Sequence, residues 1–251
     1  MINYDLHIHT EYCGHAPTMT IEAIINAAEQ KQLETIAITA HIFTVEHLQL
    51  IPKIKNRLAE IKTDVNVIIG AEVDADGFRT DGKLITDDLD DIPYVLGSIH
   101  YIPSTGIYPA SPQDNPLSDE EFLEAWQSTL IGLASNERLD TIAHPGRLAA
   151  CSVDMDIYFD DMLAVFQTAA ELSAKNNICW ELNDLNEEKI PQKIHERWSQ
   201  IYRIAIDAGV KLIYGSDAHK PQEIGKQSFT QKILKAAPNL HLETPQSLGV
   251  V

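Results

Sequence analysis

The hydrophobic residues of this chain form short, nearly continuous runs that alternate with longer amphipathic stretches. Runs of this length are typical of buried strands, whereas the stretches between them repeat apolar residues at helical spacing. The predicted strands are residues 2–8, 35–39, 66–71, 94–99, 141–143, 178–182 and 210–214. Strands that alternate with helices in one series predict parallel pairing. We therefore expect an α/β fold with a barrel-like ring of seven strands, in one domain over residues 1–251.

The stretches between the strands carry the start signals of helices. The predicted helices are residues 20–31, 46–61, 118–136, 156–176, 191–208 and 222–237. Thr20 and Ser118 are residue types preferred at helix starts, and Glu121 would complete a capping box with Ser118. Residues 73–82 are rich in Asp and Gly and predict a hairpin excursion. The loop over residues 103–117 is long enough to act as a lid on a functional site.

Imidazoles and carboxylates are concentrated at the carboxyl ends of the predicted strands. They are His41, Glu72, His100, His144, Glu181 and Asp217. In a β/α barrel those ends form the one face on which active sites are built, so these residues should converge. On the first strand, Asp5, His7 and His9 share one face, because side chains alternate along a strand.

These residue types, taken together, predict a metal centre that performs hydrolysis. Imidazole binds zinc, iron and manganese, and shared carboxylates such as Glu72 bridge pairs of ions. Water bound to such ions loses a proton near neutral pH and becomes a nucleophile. The candidate ligands are too many for one ion and fit two or three. They are His7, His9, His15, His41, Glu72, His100, His144, Asp217 and His219.

Three further signals are weaker. Cys13 lies between His9 and His15, and we interpret it as a small packing residue rather than a ligand. Arg147 follows His144 on the same face, where its planar fork would suit a phosphate. An equally good interpretation of Arg147 is an ion pair with a surface carboxylate. Asp74 begins a stretch similar to a calcium loop, but no Glu follows at the required position, so a polar hairpin turn is favoured.

Composition and charge exclude several classes of protein. The content of 44% hydrophobic and 22% charged residues is ordinary for a globular domain. The net charge of −18 makes long nucleic acid an improbable partner, because phosphate-backbone binders rely on Lys and Arg patches. Cys13, Cys151 and Cys179 form no C-x-x-C pair, which fits a reducing compartment. With no signal peptide or membrane span predicted, we expect a cytoplasmic protein and leave its oligomeric state open.

Taken in order, the motifs resemble those of the PHP (polymerase and histidinol phosphatase) superfamily. They are Asp5-Leu6-His7-Ile8-His9-Thr10 with His15, then His41, Glu72, His100, His144-Pro145 and Gly215-Ser216-Asp217-Ala218-His219. The resemblance covers nearly the whole chain. It implies a distorted seven-stranded (β/α)7 barrel, related to the TIM barrel, that holds two or three divalent ions (zinc, manganese or iron).

The resemblance also implies how the ligands are shared among the ions. By the family pattern, one ion would be held by His7, His9, Glu72 and Asp217. A second would be held by Glu72, His100 and His144, with Glu72 bridging, and a third by His15, His41 and His219. The chain departs from the pattern at Ala40, where the family commonly has Asp. If that Asp orients a ligand, its replacement would weaken one ion or change its identity. Glu181 and Asn183 are expected to support the ligands from behind.

The activity implied by the resemblance is phosphoester hydrolysis. The favoured hypothesis is hydrolysis of a small phosphomonoester by a metal-bridging hydroxide, with Glu72, Asp217 and Arg147 as catalytic residues. Histidinol phosphate is the favoured named substrate, because stand-alone members of this size resemble histidinol phosphatases. One alternative is a phosphodiesterase or exonuclease acting on short oligonucleotides or nucleoside bisphosphates. The other is a non-catalytic metal-binding module.

Overall fold

The computed structural model describes residues 2–149 and 152–249, so Cys151 lies outside the described residues. The described residues form one sheet of seven parallel strands, paired in the order of the chain from β1 to β7. The strands are β1 Tyr4–Ile8, β2 Thr35–Ile42, β3 Asn66–Asp74, β4 Val95–Ser98, β5 Thr141–Ile142, β6 Cys179–Asn183 and β7 Leu212–Gly215. The predicted fold class is confirmed.

The ring closes between its first and last strands through backbone bonds just beyond β7. Ile8 and Ala218 form an isolated parallel bridge. The His9 amide donates to the Ala218 carbonyl at 3.1 Å, and the Asp217 amide donates to the His7 carbonyl at 2.8 Å. Residues at the two ends of the barrel sequence are therefore held side by side.

Helices cover the outside of the sheet and bury their apolar faces against it. They are α1 Ile21–Gln30, α2 Leu50–Leu58, α3 Asp119–Ala134, α4 Met155–Lys175, α5 Asn186–Lys189, α6 Ser199–Asp207, α7 Ser228–Ala236 and α8 Pro245–Leu248. Thr20 caps α1 as predicted, with its hydroxyl accepting from the Ala23 amide at 3.2 Å. Ser118 and Glu121 form the predicted capping box on α3. The alternation of strands and helices thus follows the apolar pattern of the sequence.

Two predicted helices begin later in the structure than the sequence pattern predicted, so the prediction is wrong for the first part of each. Over residues 191–208, a 3-10 turn at Gln192–Ile194 precedes α6, which begins only at Ser199. Over residues 222–237, the helix begins at Ser228, because Gly225 adopts a φ of +64° and donates its amide to the Asp5 carboxylate at 2.7 Å. A helical pattern of apolar residues does not reveal tertiary bonds of this kind.

The two predicted excursions lie where the sequence places them. An antiparallel bridge between Ala75 and Leu84 closes the hairpin excursion after β3. The loop over residues 103–117 starts from a second such bridge, between Ile102 and Ile107. Across residues 2–149 and 152–249, no helix combines the length and apolar character that crossing a membrane requires. The single domain over residues 1–251 stays a prediction.

Candidate metal centre

Glu72 is the centre of a cluster of imidazoles at the carboxyl end of the barrel. It lies on β3, is fully buried, and presents its two carboxylate oxygens to different groups. Oε1 lies 2.8 Å from His144 Nε2 and 3.6 Å from His100 Nε2. Oε2 lies 3.4 Å from His7 Nε2 and 3.6 Å from His9 Nε2. Glu72 thus joins two sets of imidazoles in the way a bridging carboxylate would.

Asp217 and a group of three imidazoles adjoin the Glu72 cluster. Asp217 lies beside His7 and His9, with its Oδ1 3.0 Å from His9 Nε2 and 3.8 Å from His7 Nε2. The group of three imidazoles has its ligand atoms within 4.8 Å of one another and consists of His15, His41 and His219. The structure therefore brings together all nine ligand candidates. His41 also belongs to a group with Glu72 and His100, so it stands between two of the implied ions.

Buried acceptors orient the outer nitrogen of several imidazoles. His7 Nδ1 bonds Glu181 Oε1 at 2.8 Å, and His100 Nδ1 bonds Asp74 Oδ2 at 3.0 Å. His219 Nδ1 bonds the Asp217 carbonyl at 2.9 Å. Once neutral, an imidazole that donates from Nδ1 to such a partner carries its lone pair on Nε2, which faces the centre. The support expected from Glu181 is consistent with this geometry.

The backbone is strained where two of the candidate ligands leave their strands. His144 has a φ of +30° and Asp217 a φ of +58°, a region that residues other than glycine seldom occupy. Such strain persists only where the surroundings hold it, and it is concentrated at functional sites. Glu181 supplies part of this support, because its Oε2 accepts the His144 amide at 2.7 Å.

Gly215 makes room for the Glu181 carboxylate, and its replacement tests that support. A Cβ atom at residue 215 would lie 2.0 Å from Glu181 Oε1 and 2.6 Å from His7 Cβ. We expect Gly215→Ala to lower the free energy of unfolding by about 1–3 kcal/mol and to weaken metal binding, because both neighbours must move. Denaturant unfolding and metal titration measure the two effects. Gly209→Ala is the control outside the centre: its φ of +92° makes alanine unfavourable, but a Cβ there meets only Ala174 Cβ at 3.9 Å, so we expect stability to fall without a change in metal binding.

Both carboxylates of the centre are held in their charged form. Burial alone would raise the pKa of Glu72, but the His7, His100 and His41 imidazoles outweigh it and hold that pKa well below its usual range. Burial opposes ionisation of Asp217 too, yet His7 and Arg147 bring its pKa well below normal. Two anionic carboxylates in a buried pocket require positive charge beside them.

Protons on two imidazoles provide part of this positive charge. Burial lowers the pKa of His7, but Glu181 and Glu72 outweigh it and raise the pKa well above its usual value. Burial acts the same way on His100, where Asp74 and Glu72 raise the pKa to about 9. For His144, burial and Arg147 lower the pKa to about 4, so this imidazole is neutral near pH 7.

A cation entering the centre should therefore release protons. Near pH 7, His7 and His100 carry protons that a metal ligand must lose. We expect metal affinity to rise with pH until about pH 9, where His100 loses its proton, and to fall as the solution is acidified. Calorimetric titration in buffers of different ionisation enthalpy measures the released protons. A heat of binding that is the same in every buffer would contradict the prediction.

Unpartnered buried atoms show that the residues fit a metal ion. Glu72 Oε2 and His41 Nδ1 lie 2.8 Å apart without hydrogen-bond alignment. Neither atom has a hydrogen-bond partner in the part of the chain that the structure describes. Two atoms bound to one zinc ion at 2.0–2.1 Å would lie about 3.3 Å apart in tetrahedral geometry, close to the separations around Glu72. The donor set of imidazoles and carboxylates suits zinc, manganese and iron.

Arg147 lies at the edge of the centre, where the side chains that hold it belong to the site and not to the protein surface. Its Nη1 donates to Asp217 Oδ2 at 2.8 Å, its Nη2 to Asn183 Oδ1 at 2.6 Å and its Nε to Asn186 Oδ1 at 3.0 Å. The interpretation of Arg147 as half of a surface ion pair is wrong, because Asp217 is buried. Asn183 also donates to Asp217 Oδ2 at 3.3 Å, so it supports that carboxylate.

A cavity of about 480 Å³ opens in front of the centre. Five of the candidate ligands line one side together with Arg147, and they are His15, His41, His100, Asp217 and His219. Tyr108, Pro109 and Ala110 of the loop over residues 103–117 line the other side. That position is the one expected of a lid, although its movement stays a prediction. The rim carries both charges, on Glu188, Lys189, Lys220 and Glu223.

Two residues have roles in the structure that differ from the sequence interpretation, and Ala40 has a place that the interpretation left open. Asp74 is not an exposed turn residue but is fully buried and accepts both the backbone amide and Nδ1 of His100. Cys13 does more than fill space: its Sγ lies 3.6 Å from His9 Nδ1 and forms, with His9 and His41, a group whose ligand atoms lie within 4.8 Å of one another. Ala40 is fully buried in the large apolar cluster, whereas its neighbour His41 lies in the centre. The position of Asp74 at a strand end was the signal that could have revealed it.

A parallel β/α barrel with imidazoles and carboxylates gathered at its carboxyl end is the architecture of barrel-type metal-dependent hydrolases. A family model described as the PHP domain matches residues 5–185, about seven tenths of the chain. The chain belongs to the PHP domain family.

Individual relatives and solved structures are similar to this chain along most of its length. A probable histidinol-phosphatase of Clostridium acetobutylicum is 26% identical over 249 residues, covering 96% of this chain and 94% of its own length. Among solved structures, histidinol phosphate phosphatase from Lactococcus lactis, complexed with zinc, L-histidinol and phosphate, has a TM-score of 0.67 at 19% identity, covering 96% of each chain. A putative histidinol phosphatase from Listeria monocytogenes has a TM-score of 0.57 at 18% identity, covering 91% of this chain and 99% of its own. At these identities the two structures support the fold alone.

Proposed function

We propose that this protein is a metal-dependent phosphatase that hydrolyses a small phosphomonoester. The observation that carries the proposal is Glu72, a fully buried carboxylate whose two oxygens face different sets of imidazoles. Divalent ions held there would activate water and neutralise the charge of a phosphoryl group. The curated relatives are named probable histidinol-phosphatase and probable phosphatase, which supports the same reaction class.

The ligand assignment follows the grouping of the side chains. His7, His9, Asp217 and Glu72 would hold one ion, and Glu72, His100 and His144 a second. A third would be held by His15, His41 and His219. Zinc is the first metal to test, because the Lactococcus lactis structure contains it. The number of ions, two or three, is part of the proposal.

Arg147 would bind the phosphate beside these ions. It lines the cavity, and three of its nitrogens hold Asp217, Asn183 and Asn186. A guanidinium group has five N–H donors, so two remain for phosphate oxygens. Because the protein already fixes the plane of the group, little entropy would be lost when the phosphate binds. In this role Arg147 would stabilise charge that develops on the transferred group.

Histidinol phosphate is the substrate we propose to test first. The cavity of about 480 Å³ has room for a compact leaving group next to the phosphate. Its rim offers both acidic and basic side chains, which suits a leaving group with a charged amine. The relative from Clostridium acetobutylicum and the structure from Lactococcus lactis bear names that refer to this substrate.

A substrate panel tests the proposal directly. Phosphate release is measured from histidinol phosphate, p-nitrophenyl phosphate, a phosphodiester and a nucleoside bisphosphate, after zinc loading. We expect turnover of monoesters, its loss on chelation and its recovery with zinc. His9→Ala, which removes a fully buried imidazole of the centre, should abolish it. Preference for the diester would favour a phosphodiesterase, and metal binding without any turnover would favour a binding module.

A further inference from the structure

Cys13 lies directly behind one of the innermost imidazoles. His9 is fully buried, and its Nε2 lies 3.0 Å from Asp217 Oδ1 and 3.6 Å from Glu72 Oε2. On the opposite edge of the ring, Nδ1 lies 3.6 Å from Cys13 Sγ. The two nitrogens of His9 therefore have different partners, the carboxylates of the centre on one side and a sulfur on the other.

The turn that carries Cys13 is fixed by its own hydrogen bonds. It forms a 3-10 turn at Glu11–Cys13, which Thr10 caps by accepting the Tyr12 amide at 3.3 Å. The Cys13 amide donates to the Thr10 carbonyl at 3.0 Å, and Gly14 ends the turn with a φ of +79°. The sulfur is thus held against His9 by a rigid segment and not by a mobile side chain alone.

A second observation shows that His9 Nε2 faces a ligand position. Glu72 Oε2, which is fully buried, has no hydrogen-bond partner in the described residues, although His9 Nε2 lies only 3.6 Å away. A cation there needs a lone pair on Nε2, so the proton of a neutral His9 must be on Nδ1. The atom that faces Nδ1 then has to accept that proton in a hydrogen bond.

Cys13 has the chemistry to accept it. The Cys13 sulfur lies 3.6 Å from His9 Nδ1, and the lone pairs of a sulfur atom are weak acceptors. His7 and His100 have carboxylates at the corresponding position, from Glu181 and Asp74. A weaker acceptor makes an imidazole a weaker base, and hence a weaker ligand.

We propose that Cys13 is a positioning residue that accepts the Nδ1 proton of His9 and so directs His9 Nε2 toward Asp217 and Glu72. The inference rests on the proposed metal centre. Because its support is a thiol, His9 would be a weaker ligand than His7 and His100, whose Nδ1 atoms face carboxylates. Cys13 itself would not be a ligand.

The test compares Cys13→Ala with Cys13→Ser, and both with Cys179→Ala, which removes a buried thiol on β6. Zinc affinity is measured against a chromophoric chelator, and the tautomer of His9 by long-range proton–nitrogen spectra of the zinc-loaded protein. We expect Cys13→Ala to weaken one zinc ion by about 10–100-fold and to lose the single Nδ1 tautomer. Cys13→Ser, which keeps an acceptor, should recover part of both. Cys179→Ala should change neither.

Distinct outcomes separate this inference from the proposed function. If the wild-type chain binds no zinc, the metal centre itself is wrong. If it binds zinc and Cys13→Ala changes neither affinity nor tautomer, only the role of Cys13 is overturned. A sulfur-to-metal charge-transfer band in the cadmium-loaded wild-type protein would also overturn it, since the sulfur would then be a ligand.

Discussion

Replacing Glu72 by Gln should lower kcat/KM for a phosphomonoester by about 10³-fold or more, which corresponds to ~4 kcal/mol of lost transition-state stabilisation. The side chain is nearly isosteric, so the cause would be the loss of charge. Glu72 faces His144 at 2.8 Å through one oxygen and His7 at 3.4 Å through the other. An amide cannot offer two anionic oxygens to two ions. We therefore expect the variant to lose bound metal as well as activity.

The measurement pairs steady-state phosphate release with metal analysis of the same sample. Glu196→Gln is the matched control, because Glu196 is exposed and the chemical change is identical. Thermal unfolding of both variants shows whether the fold is retained. Activity within tenfold of wild type and full metal content in Glu72→Gln would refute a bridging role for this carboxylate.

Asp217→Asn should lower kcat/KM by about 10²-fold or more while leaving the fold intact. The carboxylate of Asp217 lies 3.0 Å from His9 Nε2 and accepts from Arg147 Nη1 at 2.8 Å. Asparagine removes the charge that a metal and the guanidinium require. It also tolerates the backbone φ of +58° at residue 217, since Asn and Asp are enriched in the left-handed region. The loss would therefore report charge and not backbone strain.

Asp217→Ala provides the comparison that separates these two effects. Alanine removes the carboxylate and is also unfavourable at a positive φ, by about 1–2 kcal/mol. We expect both variants to lose activity but only Asp217→Ala to lose that additional stability, as measured by denaturant unfolding. If Asp217→Asn were fully active, Asp217 would have no role as a ligand.

The convergence of the candidate site was predictable because it depends mainly on the topology of the barrel. In a parallel barrel, every strand delivers its last residues to one face, so His41, Glu72 and His144 needed only correct strand assignment. The assignment tolerated errors of a few residues. β2 and β3 continue beyond their predicted ends, to Ile42 and Asp74, yet their polar residues remain on the same face.

A supporting role was expected for Glu181 and Asn183, but the particular partner of each could not be predicted, because it depends on distances across the barrel. Glu181 reaches His7 over a separation of 174 residues, and nothing near either residue indicates the pair. Asp74 was considered only as the start of a polar turn, because an Asp followed by such a turn is more often exposed than buried. Gly225 ends a predicted helix through a bond to Asp5, 220 residues away. Local sequence contains no information about such partners.

The seam of the barrel has a consequence for how the molecule opens. The backbone bonds that close the ring belong to His7, His9 and Asp217, which are also candidate ligands. An ion bound to these side chains would cross-link the first and last strands, since its full set of ligands exists only while the two strands are paired. Release of the ion and separation of the strands would then be thermodynamically coupled, so the concentration of free metal would contribute to the stability of the folded chain.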